Sequence, residues 1–282
     1  MPVLADLLLK QFPDAKRQTL RRMVEAGRVT VNGKPAKRWK APVEETDQVK
    51  LLPKAAPEAP SLAPLERIFE DEDILVVNKP AGLLTSTNER ERRTTAIGLI
   101  RKYLEKTSPR AVAGVIHRLD RDASGLLVFS KNHGAYQGLK SQFFHHTVKR
   151  IYAAITSGVP KEQEGRIESA LVELADGSVR STRDRSRGQH AVTDYRVVRT
   201  AGKLALLSVE LQTGRKHQIR AHLKQIGNPV MNDSVYADAE PRGRLMLAAI
   251  LLEFDHPRTG KRLKFELEMP AEFEEAMNRA NT

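Results

Sequence analysis

Residues 117–127 read HRLDRDASGLL. This polar stretch follows an apolar run at 113–116 and precedes another at 126–130, so we expect a short loop between two buried strands. Such loops are a common position for catalytic groups. Two arginines flank Asp120, and a nearby guanidinium favours the charged form of a carboxylate. An ionised Asp120 suits a nucleophile or a base rather than an acid. The alternative is a polar turn in which aspartate and arginine pair only with each other.

The stretch lies in a long region that is rich in predicted strands. Apolar and alternating runs predict strands at 68–69, 74–77, 114–116, 126–130, 151–156, 195–198, 204–211, 245–254 and 263–267. Helical spacing of apolar residues predicts helices at 95–105, 133–144, 217–226 and 271–280. Helices set among many hairpin-length strands are typical of an α+β fold. We therefore expect a mixed, largely antiparallel sheet flanked by helices.

A proline-rich segment separates this region from a small front piece. Four prolines fall within twelve residues, at Pro53, Pro57, Pro60 and Pro64. Proline has no N–H to donate to a ladder and holds the backbone extended, which is typical of a semi-rigid linker. The sequence therefore predicts a domain at 1–52, a linker at 53–64 and a second domain at 65–282.

The front piece reads as a small α+β domain with a basic face. Two apolar helical patterns are followed by an alternating strand, by Asn32-Gly33, which is a strong hairpin signal, and by a closing strand at 49–52. Basic residues gather around the second helix and after the turn: Lys16, Arg17, Arg21, Arg22, Arg28 and Lys34. They form either an ordinary solvated face or a surface that grips nucleic-acid phosphates.

Composition bounds the remaining possibilities. The 282 residues carry a formal net charge of +12 and contain no cysteine. The missing thiols exclude disulfides, thiolate metal sites, iron–sulfur clusters and a cysteine nucleophile. No apolar run approaches the roughly 20 residues of a membrane span, and no secretory signal is visible. We expect a cytoplasmic protein with a polyanionic partner.

Three motifs together resemble those of the RluA-type pseudouridine synthases. The string HRLDRDxSGLL resembles their catalytic loop, with Ala123 in the place of the usual threonine. NKPAGL at 78–83 and TGRKHQIRAHL at 213–223 resemble two further motifs, and KRIYA at 149–153 carries their tyrosine. The front piece is similar to the ribosomal-protein-S-four-like, αL-type RNA-binding module. Asn232-Asp233 stands where the family usually has Gly-Asp.

The resemblance implies roles for individual residues. Asp120 would be the catalytic carboxylate and Arg220 its salt-bridge partner. Apolar residues at 219, 223 and 226 form a buried helix stripe, so Arg220 is expected to point off that stripe. Tyr152 would stack on the target base, and Arg118 would fill the stack that the base vacates. His117, Arg215 and Lys79 complete the predicted substrate-binding set. His117, His217 and His222 are alternatively structural histidines.

The activity implied is the isomerisation of specific uridines to pseudouridine in structured RNA. Breaking the glycosidic bond and re-forming it at carbon needs one carboxylate and no redox change, so no cofactor and no metal are implied. Whether Asp120 attacks the sugar, attacks the base or abstracts a sugar proton stays open. We expect a monomer that acts on large-subunit ribosomal RNA, with transfer RNA as an alternative, and that binds neither DNA nor membranes. The competing hypotheses are a catalytically idle RNA-binding or ribosome-assembly factor, and a nuclease that uses His117 and His217 as acid and base.

Overall fold

The computed structural model describes residues 2–53, 60–87, 93–182, 184, 186–237 and 239–281. The chain forms two compact units, Met1–Ala59 and Pro60–Thr282. The division falls inside the predicted linker, of which residues 54–59 lie outside the described part. The extended form of the linker therefore stays a prediction. None of the described helices combines the length and the apolar composition of a membrane span.

Unit 1 is a helical pair packed on a three-stranded sheet. Its elements are α1 (Leu4–Gln11), α2 (Arg17–Glu25), β1 (Val29–Val31), β2 (Lys34–Pro35) and β3 (Val49–Leu51). The sheet order is β2-β1-β3, and both pairings are antiparallel. Asn32 and Gly33 take positive φ angles of 51° and 78°, which is the backbone that a two-residue hairpin turn requires. The apolar faces of α1 and α2 meet the strands in a common core.

Unit 2 is built on a long mixed sheet. Its strands are β4 (Glu66–Glu70), β5 (Ile74–Lys79), β6 (Gly114–Val115), β7 (Ser124–Ser130), β8 (Lys149–Ser157), β9 (Glu164–Glu173), β10 (Val179–Thr182), β11 (Gln189–Ala201), β12 (Leu204–Leu211), β13 (Leu247–Asp255) and β14 (Arg262–Glu266). The main order is β10-β9-β11-β12-β8-β13-β7-β5-β4, with β14 on β13 and β6 on β7. Within the described residues, β7 and β13 pair in parallel and all other pairs are antiparallel.

Among the described residues of unit 2, four helices accompany this sheet: α3 (Ala96–Thr107), α4 (His133–Phe144), α5 (Gln218–Gln225) and α6 (Ala271–Arg279). Thr95 and Asn132 cap α3 and α4, because each side chain accepts a hydrogen bond from the first turn. The predicted α+β class with a largely antiparallel sheet is confirmed, and each of the four predicted helices is found close to its expected position. Strands β9 and β10 were not predicted.

The parallel pair β7–β13 lies beside the polar stretch of residues 117–127. Gly125 pairs with Ala249 and has a φ of 115°, and a Cβ there would run into the Ala249 backbone. Strand β7 begins at Ser124, two residues earlier than the apolar run at 126–130 predicts. The polar loop therefore ends at Ala123, directly where β7 enters the middle of the sheet.

Candidate active site

The loop that carries Asp120 is fixed by main-chain contacts on both sides of that residue. The Thr85 hydroxyl donates to the Leu119 carbonyl at 2.9 Å and accepts from the Leu119 N–H at 3.2 Å. The Gly82 N–H donates to the Arg121 carbonyl at 2.9 Å. With both neighbours held, the position of the Asp120 side chain is largely determined by the backbone. Thr85 was not singled out in the sequence, since nothing in its local pattern marks it.

Lys79 has a structural role that the sequence prediction missed. The side chain is fully buried, and Nζ donates to three main-chain carbonyls, those of Pro80, Leu83 and Arg121, at 2.9, 2.8 and 3.0 Å. Burial lowers the pKa of Lys79 to about 8, against the opposing effect of the Asp122 and Asp120 charges. Because all three donors are used inside the protein, Lys79 is corrected from a substrate contact to a tether between residues 80–83 and the Asp120 loop.

Arg220 joins the loop from helix α5. Its Nη1 donates to Asp120 Oδ2 at 3.1 Å across 100 positions of sequence. The residue is 5 % exposed, while the Asp120 side chain keeps 23 % of its surface accessible. Arg220 points off the apolar stripe, as expected, but residues 218–223 are all buried, so the helix has no solvent face there. The guanidinium is thus a buried group, and Asp120 is the part of the pair that faces open space.

Asp233 is a second carboxylate on Arg220, and it was not predicted. Its two oxygens accept from Arg220 Nε and Nη2, both at 2.7 Å. Oδ1 also accepts from the N–H groups of Val235 and Tyr236 at 2.9 and 3.1 Å. Asn232 before it has a φ of 60°, a left-handed conformation that favours glycine or asparagine. The Asn232-Asp233 pair, which stands at a position of the family motif, was the signal that could have identified this residue.

The two carboxylates that contact Arg220, those of Asp120 and Asp233, have different roles. Asp233 occupies one edge of the guanidinium in a bidentate pair, which fixes its plane and directs Nη1 at Asp120. Burial by itself lowers the pKa of Arg220, but the hydrogen bonds to Asp233 and the charge of Asp120 outweigh it, so the pKa is raised. Arg220 is therefore a permanent cation beside Asp120.

The arginines next to Asp120 in sequence do not pair with it in the structure. Arg121 makes a bidentate ion pair with Asp122, at 2.8 and 2.9 Å. Arg118 is exposed and lines the cleft. The expectation that a flanking guanidinium stabilises the Asp120 anion is thus corrected: the contacting cation is Arg220, which α5 supplies.

Asp120 and Arg220 lie in the wall of a cleft of about 1000 Å³. Among the described residues, the cations that line it are Arg118, Arg121, Lys140, Arg150, Arg215, Lys216 and Arg220. The acidic side chains in the same lining are Asp120 and Glu173. This excess of positive charge attracts a polyanion. The cleft is lined by many charged side chains, unlike the enclosed apolar pocket that a small neutral ligand prefers.

Tyr152 contributes an aromatic ring to the same cleft. It lies on β8, where it pairs with Val209 of β12 and Ala249 of β13. The residue is 6 % exposed, and burial raises the pKa of its hydroxyl, so Tyr152 is neutral across the physiological range. The structure therefore places a flat, uncharged ring in the cavity that holds Asp120.

His117 is a neutral histidine with structural contacts. Its Nε2 accepts from the Val128 N–H at 3.3 Å, and its ring stacks on Phe143 with centroids 4.6 Å apart. Burial, followed by the charges of Arg150 and Lys140, lowers the pKa of His117 to about 3. Because the ring stays unprotonated at neutral pH, His117 is unsuited to act as a general acid, which argues against the nuclease hypothesis. Its ring still lines the cleft, beside the predicted substrate-binding residues.

His217 and His222 are also held by internal contacts. His222 lies between the Ser169 and Thr193 hydroxyls, at 3.0 and 2.8 Å, and burial lowers its pKa to about 4. His217 Nδ1 lies 3.0 Å from the Tyr236 hydroxyl, and burial lowers the pKa of His217 as well. These contacts are those of structural histidines.

Arg215 is exposed on the rim of the cleft. Its Nε donates to the His190 carbonyl at 3.1 Å. The preceding loop is held by Gln218, whose Oε1 accepts from the Arg215 N–H and the Thr213 hydroxyl at 2.9 and 2.8 Å. Arg215 and Arg118 are thus the predicted substrate-binding arginines that the structure leaves accessible.

In unit 1, five of the six predicted RNA-binding residues are exposed. Lys16, Arg17 and Arg22 present their side chains to solvent, as do Arg21 and Lys34. Arg21 additionally pairs with Glu25 at 2.9 Å. Arg28 differs, because its Nε and Nη2 donate to the Leu52 carbonyl at 3.2 and 3.0 Å. Arg28 thus holds the end of the closing strand, and its contact with RNA stays a prediction.

One group of residues has the chemistry of a metal site but is already paired. Asp71, Asp73 and His256 bring ligand atoms within 4.8 Å of one another. His256 Nε2 lies 2.9 Å from Asp71 Oδ2, and Arg258 Nε donates to Asp73 Oδ2 at 2.6 Å. None of these residues lines the cleft. The group is an ion-pair cluster that joins the start of β5 to the end of β13.

Comparison with known proteins agrees with this arrangement. A family model described as RNA pseudouridylate synthase matches residues 73–225, and a model described as S4 domain matches residues 4–49. An "Uncharacterized RNA pseudouridine synthase" of Chlorobaculum parvum is 33 % identical over 98 % of this chain and 93 % of its own. "Ribosomal large subunit pseudouridine synthase D" of Zymomonas mobilis is 34 % identical over 79 % of this chain and 75 % of its own. The solved structure of human RNA pseudouridylate synthase domain containing 4 has the same fold, with a TM-score of 0.65, 22 % identity and coverage of 76 % of this chain and 92 % of that one.

Proposed function

Given that the chain belongs to the RNA pseudouridylate synthase family, we propose that Asp120 is the catalytic residue for the isomerisation of uridine in its RNA. The observation that carries this proposal is the placement of one accessible carboxylate, held by a buried arginine, in the wall of a basic cleft. The chain is an RNA pseudouridine synthase, and its N-terminal S4 domain is an RNA-binding module.

The reaction defines what the site must supply. The C1′–N1 bond of uridine breaks, the uracil turns, and a C1′–C5 bond forms; C5 loses a proton and N1 gains one, so no electrons or atoms are added. One carboxylate serves this sequence as a nucleophile or as a base, and the hydrogen bond from Arg220 positions it in either role. We propose that the reaction proceeds without a cofactor or a metal, because each of its steps is a bond exchange or a proton transfer.

We propose that Tyr152 provides the surface on which the target base rests. A base drawn out of its stack needs a flat, apolar partner, and the buried ring of Tyr152 offers one in the cavity of Asp120. Arg118 is exposed at the cleft, where its planar guanidinium is available to fill the vacated position in the RNA stack. The cost of unstacking is a few kcal/mol, which such a contact partly offsets.

We further propose that the RNA is large-subunit ribosomal RNA and that the enzyme works as a monomer in the cytoplasm. The ribosomal substrate is supported by the name of the Zymomonas relative and by the S4 domain. In this proposal unit 1 contributes affinity through the exposed cations of α2, and the cleft contributes the chemistry. Neither unit is expected to bind DNA or membranes.

Nucleotide-resolution mapping of pseudouridine in cellular RNA tests the proposal. RNA from cells that lack the protein is compared with RNA from cells that express the wild type or Asp120→Asn at equal level. We expect one or a few pseudouridines to disappear in the deletion, to return with the wild type and to stay absent with Asp120→Asn. No loss in the deletion would favour an idle RNA-binding factor. Their return with Asp120→Asn would show that the catalytic group lies elsewhere.

A further inference from the structure

Phe144 is an aromatic residue that the reaction does not require and that the fold does not bury. It is 78 % exposed, the highest value among the large hydrophobic side chains of the described residues. It is the last residue of α4, and it lines the cleft that holds Asp120. An isolated exposed phenylalanine needs no explanation. An exposed phenylalanine in the lining of a charged cleft, by contrast, lies where a bound ligand would contact its ring.

The backbone around Phe144 is held firmly. Phe143 before it points inward and stacks on His117. Gln142 exchanges two hydrogen bonds with the main chain of Asp255, at 2.7 and 2.8 Å. The His145 N–H closes the helix on the Ser141 carbonyl at 2.9 Å. The helix end is thus anchored, and the exposed ring of Phe144 contacts the His145 ring edge-on, with centroids 5.2 Å apart.

The neighbours of Phe144 in the cleft lining are cationic. Lys140 lies one helical turn before it, and Arg150 and Arg215 line the same cavity. Arg150 is 7 % exposed, and its Nη2 donates to the Leu211 and Thr213 carbonyls at 3.4 and 3.2 Å, so this residue adds positive charge to the cleft from within its wall. Both Arg150 and Arg215 lower the pKa of His146, after the larger effect of burial, which shows that their charges converge here.

A single exposed phenylalanine among cations suits a nucleotide better than a protein partner. A base presents a π face to the ring, and its phosphate meets the lysine and arginine side chains. A protein interface would need a broader apolar area with fewer charges at its centre. Phe144 stands alone in this respect, since its exposed neighbours in the cleft lining are polar or charged.

We propose that Phe144 stacks on an unpaired base of the RNA that neighbours the target uridine, while Lys140 and Arg215 bind the adjoining phosphates. The proposal rests on the proposed function, because it places a flanking nucleotide in the cleft whose reacting uridine faces Asp120. Phe144 is thus a substrate-positioning residue.

Cross-linking locates the contact directly. The full-length protein is irradiated with a single-stranded oligouridylate that carries 5-iodouridine, and tryptic peptides are analysed by mass spectrometry. Cleavage after Lys140 and Lys149 releases residues 141–149 as one peptide that contains Phe144. We expect a cross-link on this peptide that Phe144→Ala removes. A cross-link pattern without this peptide would overturn the proposal.

Binding of the same oligonucleotide measures the contribution of the ring. Stacking of one base on an aromatic side chain is worth about 1–3 kcal/mol, or roughly fivefold to more than a hundredfold in Kd. Phe144→Ala and Phe144→Leu should both weaken binding by about fivefold or more, and Phe144→Trp should restore it. Val198→Ala, which removes another exposed apolar side chain, is the matched control. Full rescue by leucine, or unchanged binding of Phe144→Ala, would contradict stacking.

The outcomes separate this inference from the proposed function. Binding and cross-linking need no chemical step, so both also work with Asp120→Asn. If the wild type forms no pseudouridine but the Phe144 effects are present, only the proposed function fails. If pseudouridine forms while the Phe144 variants bind as tightly as the wild type, only this inference fails.

Discussion

The arginines of helix α2 in unit 1 and Arg220 in unit 2 carry the same charge in opposite surroundings. Arg17 and Arg22 are exposed, and they form no ion pair with a carboxylate of the described residues. Arg220 is buried and held by two carboxylates, Asp120 and Asp233. Exposed cations act additively and are screened by salt, whereas buried ion pairs are strongly destabilised when one partner is lost. The exposed arginines of α2 suit affinity for RNA, and the buried Arg220 with its two carboxylates suits chemistry at one fixed point.

Removing Asp233 is the change that should separate the two regions most clearly. Asp233→Ala leaves the Arg220 guanidinium buried with only its bond to Asp120, so we expect unit 2 to lose about 3–5 kcal/mol of unfolding free energy. Activity should fall with it, because the guanidinium is no longer directed at Asp120. Urea unfolding followed by circular dichroism measures the loss of stability.

Two controls accompany that measurement. Arg166→Ala breaks an exposed ion pair with Asp194, so its cost should stay below about 1 kcal/mol. Trp39, the one tryptophan of the chain, lies in unit 1, and its fluorescence should report an unchanged transition in the Asp233→Ala variant. If Asp233→Ala were as stable as Arg166→Ala, the buried network would not hold the site.

Acid should destabilise unit 2 more than unit 1. The pKa values of His117 and His222 are lowered to about 3 and about 4, below the ordinary value of about 6.5 in an unfolded chain. At a pH between the folded and the unfolded pKa of a histidine, the side chain is protonated in the unfolded state but not in the folded state. Stability is therefore fully present above about pH 6.5 and is lost as the pH falls toward 4, by roughly 2 kcal/mol or less per histidine at pH 5.

The same two probes check this pH dependence. All eight histidines lie between residues 117 and 256, so the Trp39 transition of unit 1 should not show this loss. His222→Gln should weaken the pH dependence of unit 2, even if the variant is less stable at neutral pH. An unchanged pH dependence in that variant would show that His222 protonates freely in the folded protein.

Changes in the exposed cations should have the smallest effect per residue. Arg17→Gln and Arg22→Gln should each weaken RNA binding and lower the salt dependence of log Kd by about one. The rate of the chemical step at saturating protein should not change. Lys10→Gln removes the same charge from helix α1 and is the matched control. Equal weakening by Lys10→Gln would mean that unit 1 attracts RNA by its overall charge and not by the face of α2.

The sequence predicted helices and apolar strands well, because their signals are local. Helix α4 begins and ends where its pattern indicated, at His133 and Phe144. Strand β9 escaped prediction, since the apolar residues of Glu164–Glu173 do not alternate with its charged ones, and β10 escaped because it is only four residues long. A strand with that composition acquires its structure from its neighbours.

The sequence predicted the motifs of the candidate site but not the residues that hold those motifs in position. The meeting of Asp120 and Arg220 was expected only from the resemblance, because no local pattern relates positions 100 residues apart. Asp233 and Thr85 act through contacts that only the folded chain creates. Lys79 was misjudged because a lysine is almost never fully buried unless its charge is satisfied, and its three carbonyl partners cannot be identified from sequence.

The central claim is that Asp120 performs the chemistry while the exposed cations provide the affinity. Single-turnover formation of pseudouridine, with protein in saturating excess over an RNA that contains the mapped site, tests this claim most directly. We predict that Asp120→Asn lowers the rate constant by at least about 100-fold and leaves the Kd for the RNA within about twofold. A rate constant within tenfold of the wild type would contradict the account.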